Sequence, residues 1–261
     1  DDLRLIDAVA RHADWVAVSF VRTPEELVKV RDALGPDGPR LMAKIETRAA
    51  VAHLDGLLDV ADGVMVARGD LGIDLPIEDV PHLQKRIIRA CGARGLPVLT
   101  ATQMLESMVS APTPTRAEAT DVANAVGDGT DALMLSAETA IGHDPPLTVA
   151  TMARIAARAE QFHDLHADSY ERGLTRRRAP STKAVTVAMA HAALRAADEL
   201  GLAAIVCCTR AGPTARAMAA LRPGCRLIGA SPSVATARQL TLSWGVEPLE
   251  VAEYLTTDEM V

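Results

Sequence analysis

Four pairs of polar residues recur at one kind of place in this chain: Lys44 with Glu46, Arg68 with Asp70, Thr102 with Gln103, and Ser136 with Glu138 each close a short apolar run. Glu46 and Asp70 are hard oxygen ligands of the kind that Mg²⁺ or Mn²⁺ takes, ions that keep coordination positions for water and substrate oxygens. Lys44 stands two residues before Glu46, which in a strand puts both side chains on one face. A lysine beside a divalent ion suits a phosphoryl group in transfer, whose charge spreads over its oxygens. Gly69 lets backbone N–H groups approach an anion closely, and the "DLG" turn that follows could present them to a carboxylate. Thr102 offers a small hydroxyl at the next strand end. Taken singly, each of these residues reads as a helix cap or a solvated loop residue. Four in succession call for a scaffold that repeats.

The repeat is visible as five apolar or β-branched runs, "WVAVSF" (15–20), "RLMAKIE" (40–46), "GVMVARGD" (63–70), "PVLTATQM" (97–104) and "DALMLSAE" (131–138), each followed by a helical pattern. Helix starts carry their own signals. Thr23-Pro24-Glu25-Glu26 combines an N-cap, a first-turn proline and a capping-box glutamate; Thr115 with Glu118 repeats the box, and Asp144 precedes Pro145. Strands too apolar to alternate, separated by helices, predict an α/β fold with a parallel sheet covered on both faces. The unit length, roughly 25 to 35 residues, suits a (β/α) barrel or a doubly wound sheet, and in both the carboxyl ends of the strands carry the chemistry. After a polar, proline-containing stretch the pattern resumes as helix 182–200, strand 203–209, helix 213–221, strand 225–231, helix 234–242 and strand 246–252. This reads as a second, smaller α/β domain, and it has no GxGxxG after a strand to suggest a dinucleotide.

Composition narrows the classes. The 261 residues carry a formal net charge of −7, so the basic footprint of a nucleic-acid binder is missing apart from Arg176 to Arg178, which reads as a solvated face. No apolar run approaches the roughly 18 residues of a membrane span, and the N-terminus shows no signal-peptide pattern, so a cytoplasmic protein without membrane or nucleic-acid partners is expected. Cys91, Cys207, Cys208 and Cys225 lack zinc spacing and are expected to be buried free thiols. His163 and His166 form an HxxH with no third ligand suggested.

The blocks "AKIET", "VMVARGDLGIDLP", "LTATQMLESM", "PTPTRAEATDVANAVGDGTDALMLSAETAIG" and "TARQLTLSWGVEPL" resemble those of the pyruvate kinases, and the resemblance covers nearly the whole chain. It implies a partial (β/α)8 TIM barrel of about five βα units in residues 1–160, a linker at 161–181 and an incomplete C-terminal α/β domain at 182–261. By the same resemblance Glu46 and Asp70 would hold Mg²⁺ or Mn²⁺, and Lys44 would stabilise the phosphoryl group passing between phosphoenolpyruvate and ADP. The backbone at Gly69 and Asp70, with the Thr102 hydroxyl, would hold the pyruvate carboxylate near the carbon that is protonated. Arg68, Gln103, Ser136 and Glu138 would support these groups. A homo-oligomer is implied as well, in keeping with the exposed edges of a five-stranded piece.

The resemblance begins at the family's fourth barrel strand. The first three units, with the ligands of the K⁺ that the family uses, and the inserted lid over ADP or ATP have no counterpart here, and the chain stops before the last strands of the C-terminal domain. The loop "CTRAGPTAR" (208–216) matches the family's effector loop loosely: Thr209, Gly212 and Thr214 are present, whereas Ala211 stands where a serine is common. The other reading of this loop is a plain strand-to-helix turn. For the whole chain two alternatives to phosphoryl transfer stand: a divalent-metal enolate or keto-acid enzyme of decarboxylase or aldolase type on the same scaffold, and a non-catalytic regulatory or assembly module.

Overall fold

Strands that must be buried on both faces need apolar residues at consecutive positions, and the five runs supply them. In the computed structural model, which describes residues 6, 8, 10–162 and 182–253, the chain forms two units, 1–164 and 165–261. The first is built on β1 (Trp15–Val18), β2 (Arg40–Ile45), β3 (Gly63–Ala67), β4 (Val98–Ala101) and β5 (Ala132–Leu133), all parallel and hydrogen-bonded in sequential order. A doubly wound sheet reverses its order partway; sequential order is that of a barrel wall.

Between the strands run α1 (Pro24–Leu34), α2 (Arg48–Ala52), α3 (Leu54–Val60), α4 (Arg68–Asp74), α5 (Val80–Gly92) and α6 (Arg116–Asp128), followed after β5 by α7 (Ala137–Ala140) and α8 (Pro145–Phe162). Leu41, Ala43 and Ile45 of β2 and Val64 and Val66 of β3 are sealed against Leu27, Leu57, Ile87 and Ile88 of these helices. The pleat sends alternate residues to the opposite face. There the register sets Lys44 beside Met65 and Met65 beside Leu99. Hence the face that leads up to Glu46 is distinct from the helix-packed core.

The strands are shorter than the apolar runs. β3 ends at Ala67, and "RGDLGID" is a seven-residue helix where a strand continuing to Asp70 and then a tight turn were expected. β4 ends at Ala101, before the left-handed Thr102, and β5 spans two residues, with one further ladder bond from the Met134 N–H to the Thr100 carbonyl at 3.0 Å. Thr115 forms the full capping box with Glu118, and Asp144 accepts the Leu147 N–H at 3.0 Å. The Thr23 box is incomplete: Thr23 occupies the N-cap without a side-chain cap bond, the Glu26 N–H donating to its carbonyl at 3.2 Å, while the Glu26 carboxylate accepts the Arg22 N–H at 2.7 Å.

The second unit holds α9 (Thr182–Leu200), β6 (Ala204–Cys208), α10 (Pro213–Ala219), β7 (Arg226–Ser231), α11 (Val234–Leu240) and β8 (Val246–Glu250), its three strands parallel and sequential. Leu194, Met218, Leu227 and Leu240 centre its core. Of the four cysteines, all free, only Cys91 and Cys207 are buried; Cys208 and Cys225 are part-exposed, contrary to expectation. Burial pushes the Cys207 thiol up to about 11, so it packs as a small apolar group. No helix of the described residues is long and apolar enough to cross a membrane. His163, His166 and Arg176 to Arg178 lie outside the described residues, as does the linker stretch from 163 on.

Glu118 joins two segments. Besides its own cap, it accepts from the Ser107 N–H at 2.7 Å and the Ser107 hydroxyl at 2.5 Å. Partial burial would raise its pKa, but the bonds from Ser107 and Thr115 outweigh it and hold the carboxyl below the ordinary value. A depressed pKa stabilises the fold fully above the unfolded value and is lost as pH falls through the folded one. Glu118→Ala should therefore cost about 1–3 kcal/mol at neutral pH. In urea titrations that deficit should narrow below pH 4.5, the ordinary value; a deficit independent of pH would contradict the assignment.

Candidate active site

A carboxylate taken out of water needs compensating charge or hydrogen bonds. Glu46, 1% exposed at the carboxyl end of β2, has both. Its Oε2 accepts the Phe20 N–H at 2.5 Å. Its Oε1 lies 2.6 Å from Lys44 Nζ yet outside hydrogen-bond geometry, so that oxygen is buried with no hydrogen bond. The Lys44 ammonium donates to the Ser19 hydroxyl at 2.8 Å. Lys44 and Glu46 therefore share a face, as their spacing implies, and the end of β1 completes the cluster. Phe20 sits at φ 54°, turning its N–H onto the carboxylate.

Across the sheet, α4 begins directly after β3, so the N–H groups of Arg68, Gly69 and Asp70 fall outside the intrahelical ladder. The Gly69 N–H donates to Thr102 Oγ1 at 2.9 Å, and the Thr102 hydroxyl donates to the Ala101 carbonyl at 2.6 Å. A Cβ on Gly69 would lie 3.6 Å from the Thr102 side chain, an ordinary contact, so glycine here leaves open space over the hydroxyl. Asp70 is half-buried, and its carboxylate has no partner among the described residues.

Thr102 at φ 72° and Gln103 at φ 53° are both left-handed, a conformation that costs a β-branched residue on the order of 1–3 kcal/mol. Arg68 holds them there. Its Nε donates to the Ala101 carbonyl at 3.2 Å, and one terminal nitrogen donates to the Thr102 carbonyl at 2.7 Å and contacts Met104 Sδ at 2.8 Å. The other pairs with Asp121 at 2.7 Å. Arg68 is thus a clamp on the turn that carries Thr102.

Glu138, fully buried, ties the next two strand ends, accepting the Leu105 N–H at 3.2 Å and the Ser136 N–H at 2.7 Å. Ser136 is exposed and serves through its backbone. Gln103 is exposed too, and its side chain has no partner among the described residues. In the second unit the buried Thr209 hydroxyl accepts the Gly212 N–H at 3.0 Å, and Gly212 caps α10 at φ 87°. A strand-to-helix turn accounts for both. The Thr214 hydroxyl is uncommitted among the described residues.

The donors fit a small hard cation. Glu46 offers a buried oxygen that faces the Lys44 ammonium without a hydrogen bond, and Asp70 a carboxylate with no partner among the described residues, while no group of three or more His, Cys, Asp or Glu among the described residues is placed to hold a metal. Two protein carboxylates with the remaining positions left to water and substrate is the pattern of Mg²⁺ rather than of a closed structural site. Sequence reasoning missed Ser19, Phe20 and Asp121. The "SF" that closes the first run occupies the same strand-end position as the four chosen pairs, so that signal was present; Asp121, in mid-helix, gave none.

The family model described as pyruvate kinase, barrel domain, matches residues 1–149, and that described as pyruvate kinase, alpha/beta domain, matches residues 187–261. A pyruvate kinase of Clostridium acetobutylicum is 42% identical over 264 residues, covering 100% of this chain and 55% of the relative. One of Geobacillus stearothermophilus is 43% identical, with 100% and 44% covered. A crystal structure of a pyruvate kinase from Cryptosporidium parvum matches with a TM-score of 0.94 at 34% identity, covering 99% of this chain and 54% of that one. The chain spans about half the length of the curated relatives it matches.

Lysine cannot reproduce the planar fork of Arg68. Arg68→Lys should destabilise the first unit by about 2–4 kcal/mol and speed amide exchange at residues 102–105, with Asp121→Asn doing the same more weakly. Hydrogen exchange read by mass spectrometry checks this; unchanged exchange at 102–105 in Arg68→Lys would remove the clamp.

Proposed function

Because this chain belongs to the pyruvate kinase family, we propose that its first unit carries the phosphoenolpyruvate and pyruvate side of phosphoryl transfer to ADP. The observation that carries the reading is the buried Glu46 carboxylate, with one oxygen unbonded and Lys44 against it at the end of β2. Glu46 and Asp70 are the residues that would hold Mg²⁺ or Mn²⁺, which when bound supplies Lewis-acid polarisation of a keto-acid oxygen. Lys44, held by Ser19 and Glu46, places a fixed positive charge at the strand end, where charge on a transferring phosphoryl group or an enolate would be stabilised. The N–H of Asp70 and the space over Gly69 suit the substrate carboxylate.

Thr102 is the group we assign to proton movement at the substrate carbon. Its hydroxyl proton is committed to the Ala101 carbonyl, so the O–H must rotate away before it can assist. Arg68 touches Thr102 at its backbone carbonyl and not at its hydroxyl, and is a positioning residue. ADP, ATP and K⁺ are assigned no residue of this chain. The family reading also carries a homo-oligomeric, cytoplasmic protein.

Exchange of pyruvate methyl protons with deuterium, followed by NMR with Mg²⁺ present, tests the reading. The wild-type chain should exceed buffer containing the same metal. Thr102→Ala should lose about 10²-fold of the acceleration while keeping Mn²⁺ affinity, and Thr102→Ser should recover most of it. Asp70→Asn should lose both exchange and affinity. Exchange that is indifferent to Asp70→Asn would sink the assignment of roles.

A further inference from the structure

On the first unit, away from Lys44, Glu46, Asp70 and Thr102, α2 and α5 border a cavity of about 330 Å³, near the lower end of the size range for small-ligand pockets. Three cationic or donor side chains reach it: Arg48 from the start of α2, and His82 and Arg86 from α5. Asp79 at the N-cap of α5 is the one acid among the lining residues. Val51, Leu75 and Leu83, all half-buried, form the apolar wall. The spacing explains the convergence, since 79, 82, 83 and 86 lie on one face of a helix and 48 and 51 on one face of the other.

The charges are not spent internally. His82 and Arg86 have no partner among the described residues. The Arg48 guanidinium makes one bond, to the Asp74 carbonyl at 3.2 Å, and retains further N–H donors. His82 carries a ring N–H in either tautomer. Among the lining residues two guanidiniums face one carboxylate, and a guanidinium fork matches phosphate or carboxylate oxygens. A bare inorganic ion would leave the Val51, Leu75 and Leu83 wall wet. A hydrocarbon would leave the guanidiniums unpaired.

We propose that this cavity binds a small organic anion, a phosphate or carboxylate group on a compact apolar body. The anionic end pairs with Arg48 and Arg86, and the body covers the wall. The proposal is independent of the reaction assigned above, because none of its residues belongs to that site. Arg48 does follow Glu46 by two residues, and its backbone N–H donates to the Asp74 carboxylate at 2.6 Å, at the end of the helix that begins beside Asp70. The cavity therefore backs onto both segments that carry the cation ligands.

Titration calorimetry on the full 261-residue chain with phenyl phosphate and with benzoate tests the binding. At least one probe should saturate; Arg86→Ala and Arg48→Ala should each weaken it about tenfold, with Arg86→Lys falling between. Inorganic phosphate and benzyl alcohol, each lacking one half of the recognition, should bind at least about tenfold more weakly. Both arginines are exposed, so neither substitution disturbs the core. The proposal is overturned if neither probe saturates by about 10 mM, if both alanine variants bind like wild type, or if inorganic phosphate binds as well as phenyl phosphate.

Discussion

The Glu46 carboxylate is buried beside an ammonium, and the geometry of two strand ends follows from that one charge. Its desolvation is tolerable only while Lys44 stays opposite it; removing one member of such a pair typically costs about 3–5 kcal/mol, because the other is left buried and alone. Lys44 in turn is anchored by Ser19, and the second carboxylate oxygen is anchored by the N–H of Phe20, which sits at positive φ. The pair thus pins the end of β1 to the end of β2. The oxygen that faces Lys44 has no hydrogen bond, so a small hard cation would share it with the ammonium.

A second constraint works on β4. The left-handed Thr102 would relax to the β region if nothing opposed it. Opposition comes from two nitrogens of one guanidinium on the Ala101 and Thr102 carbonyls, fixed in orientation by Asp121, and from the Gly69 N–H bonded to the threonine hydroxyl. Because Arg68 and Gly69 are the first residues of α4, the same short helix that sets Asp70 also sets Thr102. Glu138 and Glu118 repeat the device further along: Glu138 collects N–H groups from the loops after β4 and β5, and Glu118 collects those of Ser107 and Thr115 within the loop after β4. The candidate site is made of loop segments held by buried or half-buried charges above a packed parallel sheet.

Much of this was legible in the residues. Consecutive apolar positions in "GVMVA" identified a two-sided buried strand, and the i, i+2 spacing of Lys44 and Glu46 fixed their common face. The strand ends were less legible, because polar residues continue an apolar run without announcing where the ladder stops. "ARGD" reads as strand into turn, yet it is the first turn of a helix whose early N–H groups face the loop after β4. Nothing local marks Thr102 and Gln103 as left-handed, since neither is glycine; the cause is Arg68, 34 residues from the carbonyl it holds. Likewise the Thr23 box failed because the Glu26 N–H donates to the Thr23 carbonyl at 3.2 Å and not to its hydroxyl, a choice that spacing alone does not decide.

The central claim is that Glu46 and Asp70, on neighbouring strand ends, hold one cation together. Mn²⁺ affinity in the wild-type chain, Glu46→Gln, Asp70→Asn and the double variant closes a thermodynamic cycle on that claim. Ligands of one shared ion should each lose on the order of 10²-fold when altered, and the double variant should lose little more than either single one. Losses that simply add, or an Asp70→Asn chain that binds Mn²⁺ as tightly as wild type, would show that the two carboxylates do not share an ion.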